Sequence, residues 1–271
     1  MSDIATVPTK HAITRVRHEP RRRILTVRRV ERLTPAMVRI TLGGDLAGFV
    51  SSGYDDHVKV FFPLPGHNAP TLPEPAGDSA AAGERSPGRD YTPRRFDNNE
   101  LVIDFALHDA GPATDWAANA AVGQQLAVGG PRGSFVVPDD FNWYLFIGDE
   151  TALPAIARRL EELRAGTKAF VVAAVTGPEE EQRFESRADV TVRWVHRPLS
   201  QATDPAPLLN AVRSLKLPSA GDGYAWAAGE SQTAKLLRRH LLDERGLDKA
   251  WVKAAGYWKQ GAVSIHETHS D

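Results

Sequence analysis

The sequence predicts two packed halves: an N-terminal antiparallel β-barrel, followed by a doubly wound α/β domain built on a parallel sheet. Three observations predict it. Up to about residue 138 the apolar runs are short and strand-like, with a single helical segment among them. Beyond Pro138, strands and amphipathic helices alternate, the pattern of a parallel sheet covered on both faces. The 271 residues, 42% of them hydrophobic, suit two cores better than one.

Residues 1–20 are polar and aperiodic and are expected to be a flexible N-terminus. Strands are expected at Ile24–Val30, Met37–Leu42 and His57–Phe62. The stretch from Pro63 to Gly88 is rich in Pro, Gly, Ala and acids, and reads as a long surface loop. Strands resume at Arg89–Phe96 and Leu101–Leu107. A short helix is expected over Ala113–Ala121, then a strand at Gln125–Val128 and a tight turn over Gly129–Gly133. The seam between the halves falls near residues 138–142, which sets domains of 21–138 and 139–271. Strands follow at Trp143–Ile147, Ala169–Val175, Val190–Val195, Tyr224–Ala228 and Trp251–Ala254. Helices are expected at Thr151–Arg164, Pro207–Leu215 and Glu230–Arg245, the first stopped by Gly166 and the last by Gly246.

Bulk properties exclude several function classes. A net charge of −1 gives no global field for nucleic acid or an anionic membrane. Zero cysteines exclude disulfides, iron–sulfur clusters and thiolate zinc sites in this chain, and fit a reducing cytoplasm. No run approaches the roughly 18 apolar residues of a membrane span, and no signal-peptide core opens the chain. The expectation is a soluble, cytoplasmic protein. His266 and His269 are spaced like weak metal ligands, but an exposed tail accounts for them better, so no metal site is expected.

Chemistry concentrates in Arg89-Asp90-Tyr91-Thr92-Pro93-Arg94. On a strand, Arg89, Tyr91 and Pro93 share one face and Asp90, Thr92 and Arg94 the other. A flavin needs a flat apolar surface, a short hydrogen-bonding group near its ring nitrogens and cations for its pyrophosphate. This segment offers all three, although an ordinary edge strand with a basic face has the same composition. Three further segments follow: His108–Trp116, a strand running through a glycine turn into a helix; Gly148-Asp149-Glu150-Thr151-Ala152-Leu153-Pro154; and Gly256-Tyr257-Trp258-Lys259-Gln260-Gly261.

In that order and at those distances, the four segments resemble the siderophore-interacting proteins, ferric-siderophore reductases distantly related to ferredoxin–NADP reductases. The likeness runs from about Arg22 to Gly261. It implies FAD held by Arg89, Tyr91, Thr92 and Arg94, with His108, Ala113 and Thr114 holding the rest of the dinucleotide. Asp104 either faces solvent or accepts from a ribose or ring N–H. Tyr257 and Trp258 would flank the flavin ring. NAD(P)H is implied at Gly148, Asp149, Thr151 and Pro154, and at a second turn, Gly229-Glu230. Asp149 and Glu150 depart from the glycine pattern of related reductases, and two carboxylates there would repel a pyrophosphate unless they turn away. Glu179, Glu180 and Glu181 stand where a ribose 2′-group would be read; acids suit a hydroxyl and favour NADH over NADPH. Lys59 and Lys259, with His57 and Arg95 as lesser candidates, would face an anionic ferric siderophore.

The implied reaction passes a hydride from NAD(P)H to the flavin, then single electrons to Fe(III), and Fe(II) leaves its hard oxygen ligands. No protein general base is required, and iron is substrate. A ferredoxin is the alternative electron donor, and a monomer suits a flavin edge that must meet a bulky chelate. Two other functions fit the same residues: a general flavin or ferredoxin-type reductase, and a non-catalytic siderophore-binding protein.

Overall fold

The structure, a computed structural model, describes residues 10–71, 86–107, 111–261 and 267–269. The first half contains β1 (Thr14–Arg17), β2 (Arg22–Thr34), β3 (Met37–Gly43), β4 (Val58–Phe61), β5 (Gly88–Tyr91), β6 (Arg95–Phe96), β7 (Glu100–Ala106), α1 (Pro112–Ala118), β8 (Gln125–Gly129) and β9 (Gly133–Val136). Seven of these strands form a curled antiparallel sheet in the order β5-β4-β8-β2-β3-β7-β6. Period-2 alternation turns Leu25, Val27, Ile40, Leu42, Val58, Val60, Ile103 and Phe105 inward, where they form the barrel core. Among the described residues no ladder joins β5 to β6, so the barrel is open there. The Tyr91 ring spans that opening and packs on Phe105 with centroids 4.5 Å apart.

Two expectations change here. The strand anticipated over Arg89–Phe96 breaks into β5 and β6 around Thr92-Pro93-Arg94. Pro93 has no N–H for a ladder, and Arg94 N–H crosses to the Val102 carbonyl at 2.9 Å. The N-terminus is not loose from residue 10 onward. β1 pairs with β9, and the His11 ring stacks on Phe141 at 4.0 Å while meeting Asp140 and Asp222. Backbone pairing of a polar strand leaves no hydrophobic periodicity to detect. Residues 1–9 and 72–85 lie outside the described set, but the feet of the long loop are tied by Thr71 N–H to Ser86 Oγ at 2.8 Å.

The second half contains β10 (Trp143–Asp149), α2 (Leu153–Glu162), β11 (Lys168–Val175), β12 (Asp189–His196), α3 (Ala206–Arg213), β13 (Gly223–Glu230), α4 (Ser231–Arg239), β14 (Val252–Trp258) and β15 (Glu267–His269). The order is β12-β11-β10-β13-β14, all parallel, with β15 antiparallel on the edge. The expected helix Glu230–Arg245 is α4 followed by a π-helical turn, His240–Glu244. Along β10, Leu145 and Ile147 pack beneath α3 and α4. Tyr144 and Phe146 face α2 and the barrel. No helix among the described residues is long and apolar enough to cross a membrane.

The halves share one core rather than a thin linker. Tyr54 of the barrel meets Phe146 and Trp226 edge-on, at 5.9 and 5.6 Å. Trp226 Nε1 donates to Asp55 at 3.1 Å, and Lys253 pairs with the same carboxylate at 2.5 Å. Two buried arginines of α2 then fix the angle between the halves. Arg159 donates to the Val137 and Pro138 carbonyls and lies over the Tyr54 and Tyr144 rings. Arg158 donates to Ser51 Oγ, the Ser51 carbonyl and the Pro93 carbonyl at 2.9, 2.7 and 3.0 Å. Removing that guanidinium orphans buried carbonyls, which costs more than the bonds themselves contribute. Arg158→Met is therefore expected to lower the unfolding free energy by roughly 2–4 kcal/mol in urea titrations. A loss below about 0.5 kcal/mol would mean that Arg158 does not anchor the interface.

Candidate functional site at the junction of the two halves

The flavin-type segment lies where the two halves converge. β5 carries Arg89 and Tyr91 on one face and Asp90 on the other, as the alternation predicts. Tyr91 sits opposite Val58 and is half-buried against Phe62 and Phe105. Burial pushes its phenol above the ordinary value, and the ring stays neutral. Thr92, which follows, is buried and shares a hydrogen bond with Tyr257 at the end of β14. The backbone of Pro93 is held by Arg158. Neighbouring residues of one loop are thus gripped from two elements of the opposite half.

The next arginine is placed differently from the expectation. Arg94 is buried and forks onto Glu161 of α2, with Asp104 3.9 Å from its Nε. Burial alone would raise the Glu161 carboxyl, but hydrogen bonds from Arg94 and Arg95 hold it down at about 2. Asp104 is buried, and Arg39 takes both its oxygens, at 2.7 and 2.8 Å. Arg94 and Asp104 are thus both engaged by charged partners within the protein. Ala113 and Thr114 lie in the first turn of α1, whose Gly111 offers no side-chain cap. Trp116 of that helix packs on Phe62 and Phe105. His108 lies outside the described residues.

The cations divide into two groups. Lys59 lies opposite Asp90 in the ladder and pairs with it at 2.9 Å, keeping 40% of its side chain exposed. His57, just before β4, is exposed, and Lys259 follows β14 and is exposed too. Arg95 belongs elsewhere. It is held by Glu161 and Glu185 and lines a separate groove with Arg39, Arg94 and Phe184, in which Lys59, His57 and Lys259 take no part.

The second pole of the site is the carboxyl edge of the parallel sheet, where strand order reverses between β10 and β13. Asp149 is its hub. One oxygen accepts from the Thr151 N–H and Oγ1, at 3.0 and 2.5 Å; the other accepts from the Glu230 N–H and Trp258 Nε1, at 3.1 and 2.8 Å. Gly229 makes this possible. Its φ is +143°, and a Cβ there would lie 2.5 Å from the Asp149 oxygen. Gly148 is equally confined, since a Cβ would meet Ala152 at 2.4 Å. Asp149 is buried and holds Thr151 by both its N–H and its hydroxyl. Glu230 likewise caps α4 through the Thr233 N–H at 2.8 Å. Pro154 occupies the first turn of α2, where its missing N–H costs nothing. Trp258 lies against Asp149, so it knots β14 to β10 beside Tyr257.

Glu150 turns to Arg197, just past β12, at 3.1 Å, in a pair of which both members are largely buried. Of the three acids after β11, Glu180 reaches across to the β2–β3 turn, accepting from Thr34 Oγ1 and the Ala36 N–H at 2.5 and 2.8 Å. Glu181 pairs with His196. Those contacts engage Glu180 and Glu181 within the protein, while Glu179 is exposed. Arg158, Glu161 and Arg197 were not singled out from the sequence, and Glu180 was singled out for another role. Charged residues on amphipathic helices and loops normally face water, and no local pattern marks the ones that a second domain will bury.

Comparison with known proteins agrees with this architecture. Residues 26–135 match the model of the siderophore-interacting FAD-binding domain, and residues 141–261 that of the siderophore-interacting protein. An NADPH-dependent ferric-chelate reductase of Escherichia coli is 40% identical over 250 residues, covering 90% of this chain and 95% of the relative. The chain belongs to the siderophore-interacting protein family. The ferric vibriobactin reductase of Vibrio cholerae is 32% identical over 88% of this chain and 90% of its own length. The crystal structure of a siderophore utilization protein from T. fusca superposes with a TM-score of 0.83 at 38% identity, covering 94% of this chain and 98% of that one.

Within this member of the siderophore-interacting family, Glu150 has a measurable signature. Burial, and then the neighbouring Asp149 carboxylate, push its carboxyl up to about 7 against the pull of Arg197. A folded-state value above the ordinary one means that the unfolded chain releases its proton first. The stabilising contribution is full below the ordinary glutamate value and is lost as pH rises through about 7. Glu150→Gln should flatten that part of the stability profile in urea titrations between about pH 5 and pH 8. An unchanged slope would assign the proton uptake to another group.

Proposed function

We propose that the chain is an FAD-dependent ferric-siderophore reductase that draws electrons from NAD(P)H and releases iron as Fe(II). The observation that carries this reading is the grip of the second half, through Tyr257 and Arg158, on Thr92-Pro93 of the first, beside the Tyr91 ring. A two-electron donor held by one half and a flavin bedded on the other must meet at fixed geometry, and these contacts fix it. The names of the E. coli and V. cholerae relatives, at 40% and 32% identity, support the same chemistry.

The residues present fit a flavin. Tyr91 offers a half-buried ring backed by Phe105, Thr92 a buried hydroxyl beside it, and Arg89 a guanidinium on the Tyr91 face. Arg94 and Asp104 serve indirectly, as braces behind that bed. Bound FAD would supply the step between a hydride donor and one-electron reduction of Fe(III). The protein's own tasks are position and charge. Tyr257 stays neutral because burial, and then the nearby Asp55 carboxylate, raise its phenol well above the ordinary value, and it holds Thr92 by a hydrogen bond. Lys59 and Lys259 supply cations, and His57 a further polar contact, for an anionic chelate too bulky to be enclosed. The absence of cysteine suits a reducing compartment, and the reading assigns the enzyme to the cytoplasm, acting as a monomer, with NAD(P)H rather than a ferredoxin as the first donor tested.

Anaerobic stopped-flow spectroscopy of the FAD-loaded protein tests the reading. NADPH or NADH should bleach the yellow absorption, and an added ferric siderophore should restore it. A flavin that no nucleotide bleaches would leave only a binding protein. In the same assay, the double substitution Lys59→Ala with Lys259→Ala should slow reduction of an anionic catecholate chelate about tenfold or more, and that of a neutral dye by less than about twofold. Equal losses on both acceptors would remove the two lysines from the substrate surface and favour a general flavin reductase.

A further inference from the structure

Tyr257 is the residue of β14 that the ladder to β13 skips. Gly229 pairs with Gly256 and Glu230 with Trp258, so Tyr257 is the extra residue of a β-bulge. Bulges re-aim a side chain and are frequent beside active sites. Both neighbours are fixed in place. A Cβ on Gly256 would meet Ser231 Oγ at 2.1 Å, and Trp258 donates to Asp149 at 2.8 Å. The Tyr257 ring meets Trp226 edge-on at 6.1 Å, and Asp55 holds Trp226 in turn. The bulge thus delivers a rigid phenol to the Thr92 hydroxyl of the opposite half. Thr92 is 7% exposed and lies between the Tyr91 ring and the Pro93 carbonyl that Arg158 takes. Arg158 already tethers this loop. What the phenol adds is a group able both to donate and to accept a hydrogen bond.

We propose that Tyr257 is a redox-linked positioning residue, whose phenol reverses its hydrogen bond with Thr92 when the flavin changes oxidation state and so helps to set the potential at which electrons reach iron. The role rests on the flavin-dependent reading above and goes beyond it. At N5 a flavin accepts a hydrogen bond when oxidised and presents an N–H when reduced. A hydroxyl that serves this atom must give its proton in one state and turn it away in the other. Tyr257 matches both states: it donates to Thr92 while Thr92 donates to the ring, and accepts from Thr92 once Thr92 accepts from the ring. Each change rotates a hydroxyl and breaks no covalent bond. Phenylalanine cannot accept. In Tyr257→Phe the Thr92 proton is orphaned in the reduced state alone, and a buried donor without an acceptor costs more than the bond contributes.

Redox titration of the FAD-loaded protein against a reference dye tests the role. Tyr257→Phe is expected to lower the reduced-to-oxidised ratio at a given potential about tenfold, the scale of one orphaned buried donor, or about 30 mV for two electrons. Thr92→Ser should behave as the wild type. Thr92→Val leaves no proton to orphan, so adding Tyr257→Phe to it should change the ratio by less than about twofold. A phenol that only packs would act equally in both backgrounds, and that result overturns the proposal. So does an unchanged potential in folded Tyr257→Phe. Infrared difference spectra of the wild type with labelled tyrosine, reduced minus oxidised, keep the test open if the phenylalanine variant does not fold. A tyrosine C–O band should shift on reduction, and the shift should vanish in Thr92→Val; tyrosine bands that stay put overturn the proposal. A protein that takes up no FAD ends this role and the reductase reading together. One that shows the coupling but reduces no ferric chelate would sink the reductase reading and leave the role of Tyr257 standing.

Discussion

A guanidinium buried between two domains must find acceptors on both sides, and the placement of Arg158 governs the rest of this molecule. Its donors go to Ser51 and to the carbonyl of Pro93, in the loop that follows the Tyr91 ring. A proline there has already broken the strand, so its carbonyl is free for a partner outside the sheet. The same loop is held one residue earlier by Tyr257 and one residue later by Glu161. A flat cofactor laid on Tyr91 would be positioned relative to the nucleotide half without relying on a flexible hinge. Preorganisation of that kind lets electron transfer proceed without a catalytic acid or base.

The second constraint is electrostatic. Acids at the carboxyl edge of a parallel sheet oppose phosphate binding there, yet this chain keeps Asp149 and Glu150 at that edge. The conflict resolves locally. Asp149 is surrounded by N–H and O–H donors and knots three strand ends together through Thr151, Glu230 and Trp258. Glu150 is paired with Arg197. Both acids act on the architecture of the edge. The resident carboxylates thereby resemble the second layer around a metal or phosphate site, which orients the groups that touch the ligand.

Much of this was legible in the chain. The switch from period-2 strands to alternating strands and helices near residue 138 follows from side-chain burial within each element, a local property. Motifs such as Arg89–Thr92 and Gly148–Pro154 are also local, because a turn or a strand end needs particular residues within a few positions. Even the inward turn of Asp149 could be anticipated from charge repulsion alone. What was not legible has one cause. Arg94, Arg95 and Asp104, expected as ligand groups under the family resemblance, also meet charged partners within the protein. Their partners, Glu161, Glu185 and Arg39, lie tens of residues away in sequence.

By itself, then, the sequence determined the two-part fold, the flavin-type segment and the family, since these depend on periodicity and on residues close along the chain. Only the tertiary structure decided which charges face a ligand and which face each other. An ion pair costs its desolvation wherever it is buried, and whether a partner arrives to offset that cost depends on how the halves dock. Docking sent Arg94 to Glu161, Glu180 to the Thr34–Ala36 turn and Arg158 to Pro93.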